Sequence, residues 1–329
     1  MLEIRDLNKS YGKKKVLTGI DLTVRPGEVL GLLGPNGAGK TTTASIVAGL
    51  TAADSGTVLV DGIDSRKNPR QARRRLGLAP QDLGVYPGLT AKENLEFFGR
   101  MMGVPRAVLP ARIADVAEAL GITPFLGTRA HNLSGGQQRR LHTAGALLHQ
   151  PPVLWLDEPT VGADVSARQD LLTEVRNLAD SGAAVVYATH YLPELEVLDA
   201  RVVVLHHGRI LAEGPATELV ERYAKSAVSL EFSGPVPDGL GAYRAVPGAT
   251  VTDTRLLTIP TDTPGQLLAQ LFTTLNGETD RLLSAEIHHP NLENAYLAIV
   301  GAADATEAEA EAEAEIGWDA SQRSSDAVA

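Results

Sequence analysis

Short apolar runs alternate with amphipathic stretches along the first two thirds of the chain. Val29–Leu33, Val153–Leu156, Ala184–Ala188 and Val202–Leu205 are continuous apolar segments. Segments of this kind read as strands buried on both faces of a central sheet. Leu2–Leu7, Ile20–Val24 and Val58–Val60 read instead as antiparallel-type strands near the start. Strand-like runs interleaved with helical stretches predict an α/β domain over residues 1–224. Each buried run except the last ends at a chemically distinctive string. In open α/β sheets, ligands bind beyond the carboxyl ends of the strands.

The pattern changes after residue 224. Residues 225–301 are rich in Pro, Gly and Thr, with short alternating runs at Ala227–Phe232 and Arg255–Ile259. Gln266–Asn276 and Asn291–Ile299 look helical. Together they predict a small α+β C-terminal domain. From 302 to 329 the chain is an acidic tail. Glu307, Glu309, Glu311, Glu313 and Glu315 alternate with Ala. In a helix this spacing sets like charges four apart, where they repel, so disorder is the expectation.

Composition narrows the class. The 329 residues suffice for one large domain or two of ordinary size, and 43% are apolar. There is no cysteine, which excludes disulfides and thiolate metal sites. The net charge is −10, but the tail holds eight acidic residues against one arginine. The rest is nearly neutral, which gives no electrostatic case for nucleic acid. No apolar run approaches the roughly 20 residues of a spanning helix. The start, Met1-Leu2-Glu3-Ile4-Arg5-Asp6, lacks a basic region and an apolar centre. A cytoplasmic location is therefore expected.

Three strings carry the chemistry. Gly34-Pro35-Asn36-Gly37-Ala38-Gly39-Lys40-Thr41 follows the run Val29–Leu33 and precedes a helix-like stretch with Thr42. It fits the G-x-x-x-x-G-K-[ST] phosphate loop. Its glycines let backbone N–H groups curl toward phosphate oxygens, and a helix N-terminus adds its dipole. Lys40 would reach the β- and γ-phosphates, and the Thr41 hydroxyl would hold Mg²⁺. Val153–Leu156 ends in Asp157-Glu158-Pro159. Neighbouring strand residues point to opposite faces. Asp157 can then serve the metal while Glu158 acts as general base on the attacking water. Leu133-Ser134-Gly135-Gly136-Gln137 precedes a helical stretch, Gln138–His149. Ser134 and its glycines would offer free N–H groups to a second anion.

Phosphate loop, L-S-G-G-Q and apolar-Asp-Glu-Pro strand, in this order and spacing, resemble the nucleotide-binding subunits of ABC transporters over residues 1–224. The resemblance implies a P-loop NTPase domain with a RecA-like core, an antiparallel β subdomain and a helical subdomain. It implies that Tyr11 stacks on adenine and that Gln81 meets Mg²⁺ and the water. It makes His190 the switch histidine at the γ-phosphate and Asp164 the aspartate of the loop after the carboxylate strand. Ala163 stands where leucine is usual in that loop. His206 and His207 match no role and read as surface residues. In such proteins Ser134, Gly135, Gly136 and Gln137 close on ATP held by a second copy. Residues 82–132 would form the insert that meets a separate membrane-spanning permease. Gly84–Thr90, Glu93-Asn94-Leu95 and Pro290–Leu297 resemble ATPases of drug, lipid and polysaccharide exporters, the daunorubicin-resistance type.

These readings give an ATP- and Mg²⁺-dependent ATPase subunit of an exporter. It would pair with a second copy at the inner face of the membrane and bind no nucleic acid. A non-transport ABC ATPase of translation or DNA repair is the alternative. The chain lacks the second cassette of the former, and the long heptads or cysteine-bearing insertions of the latter. A regulator with a degraded site is a further alternative, opposed by the presence of Lys40, Asp157, Glu158 and His190.

Overall fold

The computed structural model describes residues 1–275 and 277–306. Glu307, Glu309, Glu311, Glu313 and Glu315 of the expected tail lie outside them. The chain divides into one unit over Met1–Ala216 and a second from Thr217 onward.

The first unit opens with β1 (Leu2–Tyr11) and β2 (Lys14–Val24), then β3 (Val29–Leu33), α1 (Lys40–Val47), β4 (Ser55–Val60) and β5 (Ile63–Asp64). α2 (Pro69–Arg74) and β6 (Leu76–Ala79) lead to the helical insert, α3 (Ala91–Met101) and α4 (Leu109–Ala119). There follow α5 (Gly135–Leu147), β7 (Val153–Asp157), α6 (Val165–Asp180), β8 (Ala184–Thr189), α7 (Pro193–Val197), β9 (Arg201–His206) and β10 (Arg209–Pro215).

Two sheets result. One is antiparallel in the order β2-β1-β4-β5; the other runs β10-β9-β3-β8-β7-β6. In the second, β9, β3, β8, β7 and β6 are parallel. Every residue of β3, β7 and β8 is buried, which is why these segments read as unbroken apolar runs. The neighbours β3, β8, β7 and β6 end respectively at the phosphate loop, His190, Asp157-Glu158 and Gln81. Sheet order alone therefore gathers four strand ends from distant parts of the chain.

The insert is locked locally. Thr90 and Glu93 form a reciprocal capping box at the start of α3. The fully buried Asn94 side chain accepts from the Tyr86 N–H at 2.7 Å and donates to the Thr90 carbonyl at 3.0 Å.

Several elements depart from the sequence reading. β1 runs on to Tyr11 because β2 pairs with it along that length. The hairpin β9–β10 was not anticipated; it turns at His207-Gly208 with φ of 43° and 72°. Positive φ at both central residues matches the twist of paired strands. His206, expected at the surface, is buried at the end of β9, while His207 in the turn is exposed. The signature helix starts at Gly135 rather than Gln138, so its glycines belong to the first turn.

The second unit begins with α8 (Ala216–Tyr223, whose first residue closes the first unit). It continues with β11 (Ser226–Phe232), α9 (Gly241–Arg244), β12 (Thr250–Thr252), β13 (Leu256–Thr261), α10 (Pro264–Leu275) and β14 (Leu282–His288). Its sheet has the order β12-β13-β11-β14 and is antiparallel throughout. Val228, Leu230 and Phe232 of β11 pack with Leu257, Ile259, Leu267, Leu271 and Leu275 in a separate apolar core. Residues 292–306 are helical, so the helix continues through 302–306, which were expected to belong to the tail. No helix among the described residues is long and apolar enough to cross a membrane.

Candidate active site

The phosphate loop wraps one side of a cleft of about 740 Å³. Gly39 takes φ 114° immediately before α1, and a Cβ there would press on Leu17. A Cβ on Gly34 would run into the Leu205 carbonyl. These two glycines are required by conformation and by close approach. The loop ends in α1, whose free N–H groups and dipole face the cleft.

Tyr11, Gly34, Pro35, Asn36, Gly37, Gly39, Lys40, Thr41, Thr42, Gln81, Asp157, Glu158 and His190 all line this cleft. Tyr11 sits half exposed at its rim, with Lys9 Nζ 5.2 Å from the ring centroid. Ala38 is buried behind the loop and does not reach the cleft. Lys14 and Val16 also line it and escaped the sequence reading. Their place follows from the hairpin: Tyr11 pairs with Lys14, which puts both at one edge.

Lys40 is buried, and its Nζ donates to the Gly34 carbonyl at 2.5 Å and the Pro35 carbonyl at 3.2 Å. Burial lowers its pKa, while Asp157 and Glu158 pull it back up. The Thr41 hydroxyl lies 3.5 Å from Asp157 Oδ2. Burial raises the Asp157 pKa, and Lys40 opposes that shift most strongly. A buried carboxylate beside a hydroxyl, only partly compensated by Lys40, is a setting that suits an added cation. Thr41 and Asp157 therefore fit Mg²⁺.

Glu158 holds a left-handed backbone, φ 51°, and its N–H donates to the Ala188 carbonyl at 2.8 Å. A non-glycine residue in that region is uncommon and costs energy. The conformation turns the carboxylate to His190, whose Nδ1 stands 2.7 Å from Glu158 Oε1. The carboxylate is buried, whereas the His190 side chain is 72% exposed.

Arg139, also missed from sequence, lies one turn into α5. Its Nη1 donates to the Gln81 carbonyl and sits 3.5 Å from the Pro80 carbonyl. It ties the signature helix to the strand end bearing Gln81. A basic residue two positions past the signature string was visible, but nothing in the sequence gave its carbonyl partners.

Ser134, Gly135, Gly136, Gln137 and Asp164 are not in this cleft. Ser134 caps α5: its hydroxyl accepts from the Gln137 N–H at 3.3 Å, and its N–H donates to Gln137 Oε1 at 2.9 Å. Asp164 caps α6, accepting from the Ala167 N–H at 2.8 Å. The two caps are neighbours, since a Cβ on Gly136 would strike the Gly162 carbonyl. They form a second cluster that this chain's own cleft does not use.

A family profile described as ABC transporter matches residues 17–161. The linearmycin resistance ATP-binding protein of Bacillus subtilis is 36% identical over 306 residues, 92% of this chain and 98% of that protein. The chain belongs to the ABC transporter ATP-binding proteins. Two further ABC relatives are similar along nearly their whole length. Nod factor export ATP-binding protein I of Burkholderia lata is 36% identical over 91% of this chain and 97% of its own. The doxorubicin resistance ATP-binding protein of Mycobacterium tuberculosis is 32% identical over 92% and 94%. Among solved structures, the ATP binding subunit of an ABC transporter has a TM-score of 0.64 at 28% identity, covering 68% of this chain and 92% of its own. A dimeric cassette in a post-hydrolysis state bound to ADP and Pi has a TM-score of 0.60 at 26% identity, covering 65% and 98%. The chain is thus the ATP-binding and ATP-hydrolysing subunit of an ABC transporter.

Proposed function

We propose that ATP lies in the cleft with its base against Tyr11 and its phosphates in the loop Gly34–Thr42. Lys40 meets the β- and γ-phosphates. Glu158 takes the proton of the attacking water, and His190 contacts the γ-phosphate while its Nδ1 orients the Glu158 carboxylate. Thr41, Asp157 and Gln81 would hold Mg²⁺, which when bound neutralises charge on the phosphate oxygens. The observation that carries this reading is the convergence of Lys40, Asp157 and the 2.7 Å Glu158–His190 pair on one cleft.

The second cluster completes the proposal. Ser134, Gly135, Gly136, Gln137 and Asp164 face ATP held by another copy, so that nucleotide is shared between two chains. Their absence from the chain's own cleft and the dimeric cassettes among similar structures support this. Losing the γ-phosphate contacts then loosens the pair. The pair works beneath a separate membrane-spanning subunit at the inner face of the membrane, in export. The relative named for Nod factor export spans the C-terminal segment as well, which favours export over a role in translation or repair.

Glu158→Gln tests the core of the reading. The isosteric amide keeps shape but cannot take the proton. Turnover should fall by about 100-fold or more while ATP still binds. Light scattering should show a dimer with saturating Mg-ATP; a monomer under those conditions would sink the shared-site mechanism.

A further inference from the structure

Behind the cleft lies a buried carboxylate with no place in the mechanism above. Glu194, on α7, is 1% exposed. Thr160 Oγ1 donates to its Oε1 at 2.7 Å, and the Tyr187 hydroxyl donates to its Oε2 at 2.8 Å. Thr189 Oγ1 donates to Oε2 at 3.4 Å, and Arg168 Nε lies 3.3 Å from Oε1. A carboxylate this deep persists only when paired and hydrogen-bonded, and here both oxygens are satisfied.

The partners share a location. Thr160 lies two residues beyond Glu158, on the segment that leaves the strained φ of 51°. Thr189 immediately precedes His190, and its hydroxyl also accepts from the Tyr191 N–H at 2.9 Å. Both flanks of His190 are thereby fixed while its ring stays exposed. Tyr187 precedes Ala188, whose carbonyl receives the Glu158 N–H. Arg168 donates its backbone N–H to the Asp164 carbonyl at 2.9 Å and stacks its guanidinium 4.8 Å from the Tyr191 ring. One carboxylate therefore joins the segments bearing Glu158, His190 and Asp164.

We infer that Glu194 is a positioning residue for ATP hydrolysis: its carboxylate sets the spacing of Glu158 and His190 by clamping the backbones on which they stand. It touches neither nucleotide nor water. Its effect falls on the chemical step, because its partners Thr160, Arg168, Tyr187 and Thr189 lie outside the phosphate loop and β1, which hold ATP. The inference rests on the roles proposed above for Glu158 and His190.

The test is steady-state ATPase kinetics with a nucleotide titration on the full chain carrying Glu194→Gln, beside Glu158→Gln. A neutral amide retains the size of the side chain but loses the ion pair and one acceptor oxygen. The expected result is a kcat lowered about tenfold or more, with ATP Kd within about twofold of wild type. A kcat within about twofold of wild type overturns the inference, as does a parallel loss of kcat and ATP affinity, the mark of a merely structural group. If Glu194→Gln fails to fold, Thr160→Val decides. It removes one donor, and kcat lowered several-fold at unchanged Kd supports the clamp, whereas unchanged kcat overturns it. Full turnover in Glu158→Gln would instead defeat the underlying reading, whatever Glu194→Gln does.

Discussion

The two units handle polar groups in opposite ways. The first buries Lys40, Asp157, Glu158 and Glu194 around its strand ends, and Asn94 and His142 on helices α3 and α5. In the second, among the described residues, Ser229 is the buried polar side chain, satisfied by the Thr258 hydroxyl at 2.9 Å. Its core is otherwise aliphatic and aromatic, with α10 packed on the sheet and Tyr243 of α9 against the same cluster. Burying charge is unfavourable unless partners compensate, so natural cores keep it where it serves something else. The first unit accepts that cost where its chemistry lies, at Lys40 just beyond β3 and at Asp157 and Glu158 at the end of β7. The second behaves as a two-layer core held by apolar packing.

That contrast is open to a direct challenge. Leu271 is fully buried at the centre of the second core. Leu271→Ala should destabilise that unit by about 2–5 kcal/mol, since the surrounding side chains collapse only partly into the gap. Calorimetry should show a transition moved to lower temperature, while kcat for ATP stays within about twofold. A comparable fall in kcat would mean that the units do not divide stability and chemistry as their cores suggest.

The same contrast explains what the sequence made legible. Val29–Leu33 was read to the residue, and β7 and β8 to within one, because a strand buried on both faces tolerates no polar residue until it ends. The chemical strings sit just where those runs stop, which marked Lys40, Asp157 and Glu158 as chemical residues, while the role of His190 came from the resemblance to ABC ATPases. Glu194 could not be marked in this way, because its partners at 160, 168, 187 and 189 meet only through the packing of two strand ends and two helices. Nor could Arg139, whose partners are the backbone carbonyls of a distant strand. His206 was misjudged because its burial depends on the His207-Gly208 turn and the hairpin partner β10. In the tail, 302–306 carry a single acidic residue, Asp304, and simply continue the preceding helix.

A smaller effect should separate the units by pH. Burial, and secondarily the charge of Arg139, lower the pKa of His142 to about 4 from 6.5. Its Nδ1 has no hydrogen-bond partner, so the folded chain holds a neutral imidazole. Between 6.5 and 4 the unfolded chain binds this proton and the folded chain does not. Stability is therefore intact above 6.5 and is lost as pH falls toward and through 4, by at most about 3 kcal/mol. Urea midpoints across that range should drop less steeply in His142→Leu than in wild type. Superimposable pH profiles would show that the imidazole is not desolvated as its surroundings require.

The smallest expected effect tests the second cluster. Within one chain, Ser134 caps α5 and lies outside the cleft that holds Tyr11 and the phosphate loop. Ser134→Ala should cost about 1 kcal/mol of stability through the lost cap. ATP binding by the isolated monomer, measured at concentrations too low for pairing, should be unchanged. Ser134→Thr, which can still cap, should recover most of the stability. If Ser134→Ala weakened ATP binding in the monomer, the serine would be acting on its own chain's nucleotide, and the case for a nucleotide shared between two copies would lose its main support. If monomer binding holds while ATP-driven dimerisation falls, then the cap that begins one chain's helix is also the contact that closes the other chain's cleft.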